Sequence, residues 1–160
     1  MEQREKDRLL WGLKSMPHEI DDLLSGLDDE MMNWHPIPGK WSIKEVMYHI
    51  RDMEQLAYQV RLSRMLTEEE PYLPEVDQNQ LAVDRDYGNQ DAAVARFEFK
   101  SLRDETVRLL ESAPLEAWQR TGNHWKAGRV TVAEAVSRQA EHDFKHLIQM
   151  KDIVRLKMPW

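Results

Sequence analysis

The sequence predicts an all-α fold, namely a four-helix bundle with a long crossover connection. Four segments carry apolar residues at the three- and four-residue spacing of an amphipathic helix. Two of these segments open with the Ser/Thr-x-x-Glu pattern of a capping box. The alternation of apolar and polar residues that indicates a half-buried strand never persists. With 41% apolar residues in 160, the chain can build one core, so we expect a single domain over residues 1–160.

The first helical pattern covers residues 2–26, where leucine and isoleucine recur at helical spacing. Pro17 lies inside it, and a proline lacks the N–H that a helix interior requires. We therefore expect Pro17 either to kink this helix or to open a second helix as its first residue. Residues 28–40 then predict a short helical turn followed by a loop rich in proline and glycine.

The second long helix begins at Ser42, because Ser42 and Glu45 have capping-box spacing. Its pattern ends near Thr67, before the polar run EEEPYLP. Its apolar face contains residues at clean three-four spacing: Ile43, Val46, Ile50, Met53, Ala57 and Val60.

Two connections flank the third helix. Residues 71–88 predict a long connection that crosses between helices, and a helix follows from about Asn89 to Ser112. Residues 114–129 hold two glycines and two tryptophans and predict a loop.

The last helix begins at Thr131, which repeats the capping box with Glu134, and it runs to about Lys157. It carries His142 and His146 in the stretch EHDFKHLIQM. Residues four apart lie about 40° apart around a helix axis, so the two imidazoles project from the same side, one turn apart. They border the apolar stripe and do not face bulk water.

His49 has a similar position on the second long helix, at the margin of its apolar face. Three imidazoles from two helices could converge inside a bundle, which is how bundles build metal sites. Three protein ligands with a free position for water or substrate are typical of an open metal site. The alternative is that these are structural histidines, since a spacing of four arises easily by chance among six histidines. Asp143 follows His142, so the pattern is not H-E-x-x-H and a glutamate base cannot be assumed.

The ligand types narrow the choice of metal. The chain has no cysteine, so thiolate ligands, disulfides and a cysteine nucleophile are excluded together. Imidazoles without thiolates suit zinc, nickel, iron, copper or manganese, whereas calcium and magnesium prefer oxygen ligands. A metal-bound imidazole usually donates its other N–H to a neighbouring group, and the candidate carboxylates are Glu45, Asp52, Glu54, Glu141 and Asp143.

The charge balance argues against a nucleic-acid partner. The formal net charge is −7, and an acidic surface repels phosphate backbones. The first residues, MEQREKDRLLW, are charged and have no apolar h-region, and no run of 18 apolar residues could span a bilayer. We therefore expect a cytoplasmic protein that binds neither nucleic acid nor membrane.

Several stretches together resemble the DinB/YfiT-like family. GKWSIKEVMYHIRDME, residues 39–54, resembles that family's signature around the second helix. GRVTVAEAVSRQAEHDFKHLIQM, residues 128–150, is similar to its last-helix signature, which ends in His-x-x-x-His. EVDQN at 75–79 and FEFKSLRDET at 97–106 also fit, so the resemblance covers most of the chain in the same order.

The resemblance implies a four-helix bundle with a long crossover and one divalent metal held by three histidines. Carried over residue by residue, those ligands are His49, His142 and His146, and zinc or nickel is expected, with iron or manganese as alternatives. Some members of the family are described as metal-dependent hydrolases, and others transfer low-molecular-weight thiols such as bacillithiol or mycothiol. Such proteins commonly form dimers, so a homodimer is expected.

Three functions remain open on the sequence. The first is an enzyme acting on a small molecule, either a hydrolase or a low-molecular-weight thiol S-transferase; any thiol must then come from a cofactor, because the chain has no cysteine. The second is a non-catalytic metal-binding or stress-linked module, and the third is an interaction protein without metal. No residue can be assigned as a general base. Asp52 and Asp143 are candidates for accepting a hydrogen bond from a metal-binding imidazole. Loop residues that could wall the pocket are Trp34, His35, Trp41, His124 and Trp125.

Overall fold

The computed structural model describes residues 1–159. In chain order its helices are α1 (Gln3–Leu24), α2 (Asp29–Asn33), α3 (Ile43–Met53), α4 (Gln59–Thr67), α5 (Gln78–Asp84), α6 (Ala92–Ser112) and α7 (Val132–Lys157). Its strands are β1 (Tyr72–Leu73), β2 (Thr121–His124) and β3 (Gly128–Thr131). A π-helical turn, Glu54–Tyr58, joins α3 to α4, so these two helices form one long element of the bundle.

Four long elements form the bundle. The α1 helix packs against α6 and α7, and α3 packs against the same two helices. Their apolar faces meet in a core that contains Met47, Ile50, Phe99 and Met150, all of them almost fully buried. The predicted four-helix bundle is therefore confirmed. None of the described helices is long and apolar enough to cross a membrane.

Both predicted capping boxes are present. Ser42 Oγ accepts from the Glu45 N–H at 3.3 Å, and Glu45 Oε2 accepts from the Ser42 N–H at 2.7 Å. Thr131 and Glu134 make the same pair of bonds at 3.1 and 2.7 Å. Each Ser or Thr cap stabilises its helix by about 0.5–2 kcal/mol and fixes the residue at which the helix begins. The helices that carry the three histidines therefore start where the sequence predicts.

Pro17 lies within α1, and the helix does not restart there as one of the two sequence interpretations proposed. A proline leaves the carbonyl four residues earlier without its helical donor, and here that residue is Leu13. Arg103 Nη1 donates to the Leu13 carbonyl at 3.0 Å, inside the core. A side chain from α6 thus satisfies the acceptor that Pro17 leaves free, which allows α1 to run on.

The two predicted connections contain more regular structure than expected. Residues 71–88 include β1, α5 and the start of a 3₁₀ turn at Tyr87–Asn89. Residues 114–129 include a 3₁₀ turn, β2 and the start of β3, where a loop was predicted. The β2 strand pairs in parallel with β1 and in antiparallel with β3. Strands of two to four residues are too short to show an alternating pattern, so sequence periodicity could not reveal them.

Gly122 in β2 lies close against side chains of the neighbouring strand β1 and of α4. A Cβ at this position would lie 2.9 Å from Leu73 Cδ1 and 3.0 Å from Met65 Cγ. We expect Gly122→Ala to lower the free energy of unfolding by about 1–3 kcal/mol through overpacking. Gly12 in α1 is the matched control, because its added Cβ meets no atom within 4 Å. Gly12→Ala should raise the free energy by about 0.5–1 kcal/mol, since alanine is the better helix former. Urea unfolding of both variants measures the two shifts, and equal shifts would contradict the close packing of β2 on Leu73 and Met65.

Candidate metal centre

The α3 and α7 helices bring three imidazoles together. His49 Nε2 lies 3.0 Å from His142 Nε2 and 3.0 Å from His146 Nε2. The ligand atoms of all three residues lie within 4.8 Å of one another. His49 is fully buried, whereas the side chain of His142 is 18% exposed and gives the group its access to solvent. The histidines selected on the sequence therefore form one cluster, although His49 is more than 90 residues from its partners.

Neighbouring side chains fix the hydrogens on two of the rings. Asp143 Oδ1 lies 3.3 Å from His142 Nδ1, and Gln149 Oε1 lies 2.7 Å from His146 Nδ1. A carboxylate and an amide oxygen can only accept, so both Nδ1 atoms carry the hydrogen. When these rings are neutral, the Nε2 atoms of His142 and His146 carry lone pairs, and each lies 3.0 Å from His49 Nε2.

This arrangement fits a divalent cation. One N–H on His49 Nε2 could satisfy only one of the two lone pairs that face it, whereas one cation can satisfy all three nitrogens. Two nitrogens bound to one ion at 2.0–2.1 Å are about 3.0–3.4 Å apart, which agrees with the spacing of the Nε2 atoms. His142 and His146 also have the outer hydrogen-bond partners that metal-bound imidazoles normally have. His49 departs from this pattern, because its buried Nδ1 has no partner among the described residues.

Burial keeps two of the imidazoles neutral. It lowers the pKa of His49 to about 2, with further lowering from the facing His146 and His142 rings. It also lowers the pKa of His146 to about 4, and the neighbouring His142 adds to the effect. A metal ligand must be deprotonated, so these two rings are ready to bind at neutral pH without losing a proton.

The metal-free chain should lose stability as the pH falls below about 6.5. The folded-state pKa values of His49 and His146 lie below the unfolded value of 6.5, so the unfolded chain takes up more protons in this range. The stability that these two neutral rings contribute is fully present above pH 6.5. It is lost as the pH falls toward the folded-state pKa, which is about 4 for His146 and about 2 for His49. At pH 5.5 each histidine should cost about 1.4 kcal/mol, or about 3 kcal/mol together. Urea unfolding at pH 7.0, 6.0 and 5.5 in the presence of a chelator measures this loss. His49→Gln should show about half of it, and a flat profile in the wild type would contradict the prediction.

A buried network of ion pairs and hydrogen bonds contacts the histidine cluster through Asp143. Arg103 Nη2 donates to Asp143 Oδ2 at 2.5 Å and to Glu54 Oε2 at 2.8 Å. Thr106 Oγ1 and Gln139 Nε2 donate to the Glu54 carboxylate at 2.5 and 2.6 Å. Burial alone would raise the pKa of Asp143, but the Arg103 guanidinium and His142 outweigh burial and leave the pKa lowered. Asp143 therefore stays ionised, and it links the buried arginine to the His142 ring.

The π-turn places a fourth ring against the cluster. His49 and Tyr58 are nine residues apart, which in a regular helix would put them on nearly opposite faces. The wider π-turn at Glu54–Tyr58 reduces this offset. Both rings consequently contact His142, with centroid distances of 5.1 Å for His49 and 5.5 Å for Tyr58. Burial, and then the Asp143 carboxylate, raise the pKa of Tyr58, so its hydroxyl keeps its proton.

The other predicted residues divide into those near the cluster and those elsewhere. The Trp41 ring lies 5.0 Å from His49, and with His146 and Gln149 it lines a cavity of about 480 Å³. His124 lines a separate cavity beside Tyr58. His35 instead contacts Glu45 at the start of α3, at 2.8 Å. Trp34 packs near Lys157, Trp125 is 40% exposed, and Glu141 lines a surface cavity between α1 and α7.

Asp52 is buried but does not contact any of the three histidines. Its carboxylate accepts from Arg85 Nη1 at 2.8 Å and from the Tyr87 hydroxyl at 2.6 Å. It also forms an ion pair with Arg51 at 2.8 Å. Asp52 therefore anchors the crossover segment to α3. Of the two aspartates that the sequence offered as partners for a metal-binding histidine, only Asp143 contacts one.

The family relationship agrees with this geometry. The model of the DinB superfamily matches residues 13–150. The chain belongs to the DinB superfamily. This confirms the family resemblance seen in the two histidine-bearing stretches of the sequence.

The chain is similar to several Bacillus proteins over most of their length. A protein of Bacillus cereus (strain G9842) named "Putative metal-dependent hydrolase" is 25% identical over 162 residues, covering 96% of this chain and 87% of its own length. A protein of the same name from Bacillus thuringiensis subsp. konkukian (strain 97-27) matches with the same identity and coverage. The solved structure of YfiT from Bacillus subtilis superposes with a TM-score of 0.89 at 20% identity, over 100% of this chain and 91% of that one. YfiT is described as "a probable metal-dependent hydrolase with an unusual four-helix bundle topology", and at this identity the match establishes the fold.

Sequence reasoning missed three residues that shape this centre: Arg103, Tyr58 and Gln149. Arg103 could have been recognised from the sequence as a buried charge, because it lies on the apolar stripe of α6 between Phe99 and Leu110. A charge at such a position must have a buried partner. Gln149 follows His146 by three residues, a spacing at which two helical side chains can meet. Tyr58 gave no signal, because only the π-turn brings it to the cluster.

Proposed function

We propose that the chain is a metal-dependent hydrolase that holds one divalent metal ion on His49, His142 and His146. The observation that carries this proposal is the convergence of three Nε2 atoms with no fourth protein ligand. Within residues 1–159 no aspartate, glutamate or further histidine joins the group. A structural metal site normally has four protein ligands, whereas a catalytic site keeps one position open. The names of the Bacillus relatives support the same reaction class.

A bound divalent ion with three imidazole ligands would supply an activated water, whose pKa such sites lower to about 7. Nitrogen ligands favour zinc or nickel, with iron and manganese as alternatives. The rest of the chemistry belongs to the chain itself. Burial keeps His49 and His146 neutral, and Asp143 and Gln149 orient His142 and His146.

The surroundings of the cluster also suggest how a substrate is held. The cavity lined by Trp41, His146 and Gln149 opens beside the cluster and has room for a small molecule. The Tyr58 ring contacts the His142 ring, and its protonated hydroxyl would donate a hydrogen bond to a substrate oxygen held there. Asp52 and Asp143 are engaged in ion pairs, so neither is free to act as a general base.

The test is hydrolysis of a panel of small esters and amides by the full chain, stripped of metal and then reloaded separately with zinc, nickel, manganese and iron. We expect turnover with at least one metal and none without metal. His142→Gln should abolish turnover, whereas His18→Gln, an exposed histidine of α1, should leave it unchanged. Stable metal binding without turnover of any substrate would favour the non-catalytic module. Consumption of an electrophile only after addition of a low-molecular-weight thiol would identify an S-transferase.

The other properties expected from the sequence belong to the same proposal. They are a single domain over residues 1–160, a homodimer and a cytoplasmic location. Sedimentation of the purified chain at several concentrations tests the dimer.

A further inference from the structure

We propose that the cavity between α4, α7 and the β2–β3 hairpin binds the carboxylate end of an aliphatic substrate, one to two helical turns from the histidine cluster. The cavity has a volume of about 180 Å³. Four polar residues line it: Tyr58, Arg61, His124 and Arg138. The inference deepens the proposed hydrolase and rests on it for the link between this cavity and a reaction.

Arg61 and Arg138 contribute positive charge to the cavity, and neither forms a direct ion pair. Hydrogen bonds from Thr131, and then the nearby Arg138, lower the pKa of Glu134, so that carboxylate is the acidic group that Arg138 senses on α7. Arg61 Nη2 donates to the Pro74 carbonyl at 2.9 Å, which fixes the side chain and leaves its other N–H groups free. Among residues 1–159 no carboxylate lies within ion-pair distance of Arg61 or Arg138. Burial lowers the pKa of Arg61, as expected for a cation that has lost water without gaining a carboxylate. A planar guanidinium with free N–H groups is the side chain best suited to bind a carboxylate through two bonds.

His124 provides a third donor. Its Nδ1 accepts from the backbone N–H groups of Lys126 and Ala127 at 3.3 and 3.2 Å. The ring hydrogen is therefore on Nε2, which remains available to donate. Burial lowers the pKa of His124, and Arg61 and Arg138 lower it further, so the ring is a neutral donor at pH 7.

The remaining walls are apolar, which favours an aliphatic carboxylate over a phosphate. Leu62, Leu73 and Val130 are almost fully buried and form the walls together with Ala135. A planar carboxylate can accept hydrogen bonds from a guanidinium group and from the His124 ring, and the apolar walls match a hydrocarbon chain. A doubly charged phosphate would lose more hydration than a carboxylate on entering the cavity, and it has no hydrocarbon part to contact the apolar walls.

The cavity and the histidine cluster are neighbours, because both involve α7 and the Tyr58 ring. Arg138 precedes His142 by four residues on α7, so the two backbone positions are about 6 Å apart along the helix axis. Tyr58 lines the cavity and also contacts the His142 ring, at 5.5 Å between centroids. A substrate anchored by its carboxylate between Arg61 and Arg138 would extend past Tyr58 toward the histidines.

The test is an NMR titration of the full chain, both metal-free and zinc-reloaded, with sodium hexanoate, hexan-1-ol and inorganic phosphate as separate probes. The arginine Nε–H resonances and the backbone amides of the β2–β3 hairpin report binding at the cavity. We expect hexanoate to bind the metal-free chain and hexanol to bind at least about tenfold more weakly. Equal affinity for hexanol, tighter binding of phosphate, or no binding of hexanoate to the metal-free chain would overturn the proposal.

Substitutions assign the effect to the two arginines. Arg61→Gln and Arg138→Gln should each weaken hexanoate binding about tenfold, whereas Arg108→Gln, an exposed arginine of α6, should leave it within twofold. Arg138 is exposed, so Arg138→Gln keeps the test valid even if Arg61→Gln disturbs the loop at Pro74. Unchanged affinity in Arg138→Gln would overturn the proposal. Binding to the metal-free chain does not depend on the metal, so failure of this test and failure of metal-dependent hydrolysis are distinguishable.

Discussion

Replacing His146 with glutamine should remove the bound metal while the helical bundle persists. The wild type, reloaded with zinc and passed through a desalting column, should retain about one ion per chain. His146→Gln should retain less than about 0.1, because the loss of one of three ligands weakens binding by more than the 10–100-fold that loss of an outer hydrogen bond costs. Glutamine is similar in size and uncharged, and His146 is already neutral in the fold, so the change should not unfold the chain.

Metal content is measured by mass spectrometry, and the fold is measured by circular dichroism of the same samples. The matched control is His18→Gln, which removes an exposed imidazole from α1 and should retain about one ion. Equal metal content in the two variants would show that the metal binds elsewhere. Loss of both metal and helical signal in His146→Gln would instead point to a metal that holds the fold together, as in a structural site.

Replacing Arg103 with methionine should destabilise the fold more than either the overpacking at Gly122 or the loss of a histidine ligand. The free energy of unfolding should fall by about 3–5 kcal/mol, because the buried Glu54 and Asp143 carboxylates lose their counter-charge. For a chain of this size, the loss corresponds to a fall in Tm of about 10 °C. The Leu13 carbonyl, left free by Pro17, also loses its donor.

Arg108→Met is the matched control, since it makes the same change on an exposed face of α6 and should alter stability by less than about 0.5 kcal/mol. Adding Glu54→Gln and Asp143→Asn to Arg103→Met should recover part of the loss, because the unpaired charges are then gone. Asp143 has a lowered pKa, so in the wild type its contribution is present above pH 3.8 and is lost as the pH falls further. The stability gap between Arg103→Met and the wild type, measured by urea unfolding, should therefore be widest at neutral pH and should narrow in acid. An equal loss in Arg108→Met would contradict the stabilising role of the buried network.

The sequence determined the parts of this protein that short stretches of chain encode. Capping boxes at Ser42 and Thr131 and the three-four spacing of apolar residues marked the long helices to within a few residues. The start of α6 was placed about three residues early, because Asp91 provides the cap by accepting from the Ala93 N–H. The spacing of His142 and His146 placed both rings on one side of α7. Each of these features depends on neighbours within about one helical turn, so it can be predicted before any tertiary contact is known.

Tertiary packing determined the contacts between residues that are far apart in the sequence. The short strands are stabilised by pairing between Leu73 and His124, some fifty residues apart, and they carry no periodicity of their own. Only the packed core pairs Arg103 with both Glu54 and the Leu13 carbonyl, and only the π-turn brings Tyr58 to His142. The sequence could propose His49 as the third member of the cluster, but only the packing of α3 against α7 brings its Nε2 to 3.0 Å from its partners. The reason is physical: caps and periodicity are local, whereas a site is built from contacts that exist only after the bundle has closed.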